Sequence, residues 1–286
     1  MPTIFSLSSQ KEVIWAASSQ GLLRIESNHV ENVHQPLEIV LTCLALSDRI
    51  IVAGSPHGIV FSKDNGISWT AAWLDGVDAL VTCLVAQPEN DSVILAGTQE
   101  GHVLRSTDYG EHWEQVNVGL HQHPVLCISW MPSRLEWPHW ETVFVGTEGG
   151  LYRSPNGGRA WKQVMTITDA VQCIGVDVEN HIFAGTETIG LWSSADMGHH
   201  FEPVDQNFET VNALALPMGV RVLSDTTSLW YRYSVTPHST PWKLIPDIPP
   251  ALVLLFQDDK LWIGHEAGLQ SLSLSQLRDG LATTIA

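Results

Sequence analysis

Seven short apolar strands, six headed by glycine and one by serine, recur along the chain at a spacing near forty residues. They start at Gly21-Leu22, Gly58-Ile59, Gly101-His102-Val103, Gly150-Leu151, Gly190-Leu191, Ser228-Leu229 and Gly268-Leu269, with successive gaps of 37, 43, 49, 40, 38 and 40 residues. A period of that length holds one supersecondary unit, too small to bury its own apolar faces, so the units must stack on one another. Four units carry a second landmark: Ser62-x-Asp64-x-Gly66-x-x-Trp69, Ser106-x-Asp108-x-Gly110-x-x-Trp113, Ser154-x-Asn156-x-Gly158-x-x-Trp161 and Ser194-x-Asp196-x-Gly198-x-x-Phe201. The Asp or Asn side chain can accept backbone N–H bonds inside a tight turn, and the glycine supplies positive φ. The Trp or Phe then offers one large apolar surface to a neighbouring unit.

A period near forty with about four short strands per unit marks a β-propeller. The expected fold is all-β, a single seven-bladed β-propeller of four-stranded antiparallel blades, with blades at about 1–37, 38–79, 80–122, 123–167, 168–207, 208–248 and 249–286. The first strand of each blade reads as a continuous apolar run, as in Val125-Trp130 and Ala251-Phe256, and so as buried on both faces near the axis. The chain begins a blade at Thr3-Ser8. It can end one at Leu281-Ile285 after an Asp279-Gly280 hairpin turn, so the ring would close by packing of blade 7 on blade 1 without strand exchange. No helical periodicity of useful length is present.

The four boxes resemble Asp-box (BNR) repeats, which occur in sialidases, xyloglucan-cleaving enzymes, sortilin-type receptors and the photosystem II assembly factor. The resemblance implies the propeller fold across nearly the whole chain. It says little of function, because hydrolases and binding proteins share the repeat. Blades 1, 6 and 7 depart from the box and rest on spacing and alternation. The resemblance also implies which face matters. Loops joining the second to the third strand, and each blade to the next, share the face where propeller pockets form. The boxes lie on the opposite face and are structural rather than catalytic.

The composition of 31 acidic and 14 basic residues, net charge −17, argues against nucleic-acid binding, which needs clustered Lys and Arg. The first residues, MPTIFSLSSQKEVIW, lack the basic and apolar regions of a signal peptide, and no stretch is apolar enough to span a membrane. Cytoplasmic location without membrane insertion is the expectation. Cys43, Cys83, Cys127 and Cys173 stand at one repeated position, where Ala213 and Ile4 take their place elsewhere. They read as packing residues, and no disulfides, metal or cofactor are expected.

On the pocket face the second-to-third-strand loops place Glu100, Glu148, Glu187, Asp225 and Glu266 on five consecutive blades, with His57 and His265 beside them. Together they form an acidic collar suited to a basic peptide, a basic protein surface or a cation, unless they are only solvated turns. His121 and His123 form an H-x-H pair without a third ligand at a recognised spacing, and His199-His200 lies inside a box. On the opposite face the insertion Met131-Glu141 brings Arg134, Trp137 and Trp140 together, residue types that anchor interfaces. A sialidase would need an arginine cluster and a Tyr–Glu pair, and the arginines here are scattered. Arg105 and Arg153 both precede a box serine, a repeat position. The expected function is a non-catalytic interaction or assembly scaffold that binds a protein or peptide partner, basic if the collar acts. The alternative is a glycoside hydrolase of sialidase or xyloglucanase type working through top-face carboxylates.

Overall fold

A computed structural model describes residues 2–26, 29–33, 41–46, 50–74, 79–88, 90–132, 141–205, 207–233, 240–279 and 283–284. Seven four-stranded antiparallel sheets follow one another along the chain, each in simple sequential strand order. Blade 1 holds β1 (Ile4–Gln10), β2 (Val13–Ser18), β3 (Gly21–Glu26) and β4 (His29–Val33). Blade 2 holds β5 (Cys43–Leu46), β6 (Ile51–Ser55), β7 (Gly58–Ser62) and β8 (Thr70–Ala71). Blade 3 holds β9 (Val81–Gln87), β10 (Asn90–Thr98), β11 (Val103–Ser106) and β12 (Glu114–Gln115). Blade 4 holds β13 (Val125–Trp130), β14 (Val143–Thr147), β15 (Gly150–Ser154) and β16 (Lys162–Gln163). Blade 5 holds β17 (Val171–Val176), β18 (Ile182–Thr186), β19 (Leu191–Ser194) and β20 (Glu202–Asp205). Blade 6 holds β21 (Ala213–Ala215), β22 (Val220–Ser224), β23 (Leu229–Tyr233) and β24 (Lys243–Ile245). Blade 7 holds β25 (Val253–Gln257), β26 (Lys260–His265), β27 (Gly268–Ser273) and β28 (Thr283–Thr284), with a short helix α1 (Leu274–Asp279) before the last strand.

The first strands touch in a closed circle, β1 to β5, β9, β13, β17, β21, β25 and back to β1, and form the inner ring. They are not the most buried strands, contrary to the reading of their apolar runs. Residues 126–129 of β13 and 172–176 of β17 are only half-buried, whereas β6, β14 and β18 are buried at every position. The inner strand has a sheet neighbour on one side only. The second strand is flanked by strands on both sides and packed by blades on both faces.

The core is divided among the seams. Among the described residues seven apolar clusters are present, one between each pair of consecutive blades. The repeated cysteine explains how tightly a seam closes. A Cβ added to Gly185 of β18 would lie 2.6 Å from Cys173 Sγ and 2.7 Å from Val211 of blade 6. The same Gly, Cys and Val meet at Gly54, Cys43 and Val81. At the 7–1 seam Gly264 meets Val253 and Ile4. Ile4 therefore takes the place of Val81, not of the cysteine, and the residue at the cysteine position of blade 1 is Ser6, paired with Ala17. A bulge between Ile4 and Ser6 hides this offset from simple alignment.

The box turns work as seam devices. In each, the serine hydroxyl donates to the Asp or Asn side chain and accepts the glycine N–H, as in Ser106 to Asp108 at 2.9 Å and Gly110 to Ser106 at 2.9 Å. The side chain of the third residue accepts the N–H four residues on: Ser68 to Asp64, His112 to Asp108, Ala160 to Asn156 and His200 to Asp196. Gly66, Gly110, Gly158 and Gly198 all have φ near +80° and press on the preceding blade, at Trp15, Val52, Leu95 and Phe144. Positive φ and close approach both require glycine. Trp113, Trp161 and Phe201 are buried in the seams, while Trp69 is half-buried. Trp161 Nε1 donates to Val116 O of the preceding blade at 2.8 Å.

The ring closes without strand exchange, since β1 to β4 come from the N-terminal end and β25 to β28 from the C-terminal end. Closure rests on Ile4, Leu7, Ile14 and Ile25 packed with Trp262 and Leu269, together with Ser9 Oγ donating to Gln257 at 3.2 Å. Gly280 of the expected Asp279-Gly280 hairpin turn lies outside the described residues; Asp279 ends helix α1, whose Leu277 is buried in the 6–7 seam. Among the described residues no helix is long and apolar enough to cross a membrane.

Candidate functional site

The top face is built on one position repeated seven times, the residue at or just past the end of each second strand. Ser18, Ser55, Thr98, Thr147, Thr186, Asp225 and His265 occupy it. The side chain there accepts a backbone N–H from the loop it begins. Gln20 donates to Ser18, His57 to Ser55, His102 to Thr98, Gly149 to Thr147, Ile189 to Thr186, Thr227 to Asp225 and Ala267 to His265. These are Asx- and ST-type turns, so the loops are short and held from below.

The next residue outward faces solvent. Glu148, Glu187 and Glu266 stand there, all exposed. Their backbones are tied to the strand-joining segments: Glu148 N donates to Pro124 O at 3.0 Å and Glu187 N to Ala170 O at 2.9 Å, and Glu266 O accepts from Thr3 Oγ1 at 3.2 Å. In blade 3 Gln99 holds this position, with its N–H on Leu80 O at 2.9 Å. Glu100 is one residue further on and its carboxylate accepts from Leu80 N at 3.3 Å. Among the described residues none of these four glutamates is in an ion pair. Three carboxylates thus share one register around the axis and a fourth stands beside them.

Two of the grouped residues are placed differently from a collar on display. Asp225 sits at the inner position, half-buried, and accepts from Thr227 N, Ser228 N and Trp230 Nε1 at 2.7, 2.7 and 2.8 Å. Its carboxylate holds this loop in shape. His265 is only 3% exposed, with Nδ1 accepting from Ala267 and Nε2 buried without a hydrogen bond. Burial disfavours the charged imidazolium and lowers its pKa below the ordinary imidazole value. His57 remains exposed at the rim. Asp169 of the blade 4–5 connection, which carries no motif, accepts from Thr188 N at 2.7 Å and orders the fifth loop. Sequence reasoning overlooked it, because the contact spans two loops.

Arg134, Trp137 and Trp140 lie outside the described residues. The stem of that insertion is firm, with Met131 N donating to Thr142 O at 2.9 Å and Gly157 N to Glu141 O at 2.7 Å. The His121 ring packs edge-on against Tyr152, at 6.1 Å between centroids. His200 Nδ1 pairs with Asp196 at 2.6 Å. Among the described residues one group could geometrically hold a cation, Asp177, Glu179 and His181 at the base of blade 5. Its Asp177 already accepts the N–H groups of Glu179 and His181 at 2.9 Å each and lies 3.7 Å from Arg221 of blade 6, so the group serves turn and seam. Arg105 and Arg153 reach across seams: their Nε atoms donate to Gly157 O and Met197 O in the next blade's box at 3.1 and 2.9 Å. Burial pushes the thiols of Cys83 and Cys173 up to about 12, so these sulfurs stay protonated packing atoms.

The carboxyls with clearly displaced acidity are on the box face. Hydrogen bonds from Ser68 and Ser62 hold Asp64 at about 2. For Asp108 burial raises the pKa, but bonds from His112 and Ser106 outweigh it and leave it below the usual range; Asp196 is lowered in the same way by His200, Ser194 and His199. These shifts are opposite to what a general acid needs, and their cause is turn formation.

No family model matches the chain. It is 26% identical to sortilin of Rattus norvegicus over 133 residues, 41% of this chain and 15% of that protein. It is 23% identical to a xyloglucanase of Hypocrea jecorina (strain QM6a) over 154 residues, 53% of this chain and 18% of the enzyme. The matched segments thus span less than a fifth of these relatives. Among solved structures, the extracellular domain of the putative one component system BT4673 from B. thetaiotaomicron superposes with a TM-score of 0.77 at 15% identity, covering 95% of this chain and 38% of that one. YCF48 bound to D1 peptide gives 0.74 at 14%, covering 94% and 92%. The GH74 xyloglucanase from Xanthomonas campestris gives 0.73 at 13%, covering 94% and 52%. The neighbours therefore include both a peptide-bound protein and GH74 enzymes. In fold, the chain is a seven-bladed β-propeller, similar over part of its length to sortilin and to a xyloglucanase.

Proposed function

We propose that this protein is a non-catalytic interaction propeller that binds a basic protein or peptide segment on its top face. The observation that carries the reading is the group of exposed, unpaired carboxylates on loops held rigidly from below. Glu148, Glu187 and Glu266 share one loop register, and Glu100 adds a fourth charge beside them. A rigid set of like charges on one face favours a flexible cationic ligand, because the ordering cost falls on the ligand alone. That a propeller of similar fold and length is known bound to a peptide supports the peptide class.

The test is binding of an Arg/Lys-rich peptide at several salt concentrations, to wild type and to the quadruple variant Glu100→Gln, Glu148→Gln, Glu187→Gln, Glu266→Gln. Affinity should fall with salt for wild type, and the variant should bind at least about tenfold more weakly. Equal binding by both proteins would show that the carboxylates are solvated loop groups. A hydrolase reading draws support from the xyloglucanase match. Release of reducing ends from xyloglucan, lost in a Glu148→Gln or Glu187→Gln variant, would favour that reading over the scaffold.

A further inference from the structure

A second, oppositely charged site lies at the rim between blades 4 and 5. A groove of about 440 Å³ is lined there by Arg153, Lys162, His199 and His200, with Val164 and Met165 as apolar wall. Four cationic or ionisable nitrogen-bearing side chains and no carboxylate line it, in a chain of net charge −17.

The repeat shows that this charge is out of pattern. Blades 1, 3 and 4 each carry an arginine at the same place on the third strand, and the residue directly across on the fourth strand differs. Arg24 faces Glu31, and Arg105 faces Glu114, with charge separations of 3.8 and 3.9 Å. Arg153 instead faces Lys162. Like charges directly opposite on neighbouring strands destabilise a sheet, and here the fourth strand supplies no acidic partner for Arg153. Among the described residues Lys162 Nζ has no hydrogen bond or ion pair, and Arg153 uses only Nε, on Met197 O. The charge of Asp196, in the next blade, acts on Arg153, but its oxygens are already taken up by His200 Nδ1, Ser194 Oγ and the N–H groups of His199 and His200. Met165 beside the cations is 74% exposed.

We infer that the groove between blades 4 and 5 binds an acidic peptide segment, with Arg153, Lys162 and His199 holding a side-chain oxyanion and Val164 and Met165 taking an adjoining apolar residue. The oxyanion is a phosphate or a carboxylate, both of which match guanidinium and ammonium donors. A short segment fits better than a polyanion such as nucleic acid, which would also meet the acidic remainder of the surface. The inference is independent of the top-face reading, since it concerns another face and the opposite charge.

The test is fluorescence anisotropy with three labelled hexapeptides that place phosphoserine, glutamate or serine beside leucine, with inorganic phosphate as competitor. The phosphoserine or the glutamate peptide, or both, should bind wild type at least about tenfold more tightly than the serine peptide. Which of the two binds identifies the oxyanion. Lys162→Glu recreates the blade 3 pairing, so it should reduce that binding at least about tenfold while raising the melting temperature of the free protein. His199→Gln should weaken binding without changing the melt. Equal binding of all three peptides, or unchanged binding by Lys162→Glu, would overturn the inference. Competition by inorganic phosphate would assign the affinity to the cations, and its absence together with serine-peptide binding would assign it to the apolar wall and count against the site.

Discussion

At the residue scale the seams are governed by volume shared among three side chains. Gly185, Cys173 and Val211 fill one seam, and blade 6 fills the equivalent space with Ser224, Ala213 and Ala251. Larger at one position means smaller at the other two. Gly185→Ser alone should therefore overpack the seam and cost about 1–3 kcal/mol. Adding Cys173→Ala and Val211→Ala should recover most of the loss, because the triple variant copies a combination already present in the fold. Urea denaturation of the single and triple variants checks this. A triple variant as unstable as the sum of its parts would refute shared volume. The apolar character of the Cys position was legible in the sequence. Its partners were not, because they come from another strand and another blade.

At the element scale the box is a turn stabilised by an ionised side chain. Asp64 has a folded pKa of about 2 against an ordinary value of 3.8. A depressed carboxyl contributes stability that is fully present above its unfolded pKa and is lost as pH falls through its folded pKa. The acid-sensitive window for this turn thus runs from about 4 down to about 2. Blade 4 uses Asn156 at the same place and has nothing there to titrate. Asp64→Asn should therefore be less stable than wild type at pH 6, with the two urea midpoints converging by pH 2. A gap that stays constant across this range would mean that the charge of Asp64 does not matter. The turn itself was readable from Ser-x-Asp-x-Gly, because its bonds are local. That its glycine presses on the preceding blade was not, since nothing local in the motif records that contact.

At the scale of the whole molecule, the ring closes through side chains. No strand from one terminus completes the other's blade, so the 7–1 seam depends on Trp262, Leu269, Ile4 and Ile14. Trp262→Ala should cost about 3–5 kcal/mol and open this seam before the others. Hydrogen exchange should then speed up first in β1 and β25 to β27. Uniform acceleration in all seven blades would show instead that the disc opens only as a unit. The acidic top face and the basic groove between blades 4 and 5 are also properties of this scale, since each gathers residues distant in sequence.

The period, the blade number, the box turns and the surface loops that carry Glu148, Glu187 and Glu266 were all legible in the amino-acid order. All of these depend on alternation and on bonds within a few residues. That the second strand is the buried one, that Asp225 and His265 lie beneath the rim, and that Arg153 and Lys162 face each other across neighbouring strands emerged from the folded ring. Burial and charge pairing depend on neighbours brought together by the closing of the ring, and no local pattern encodes them.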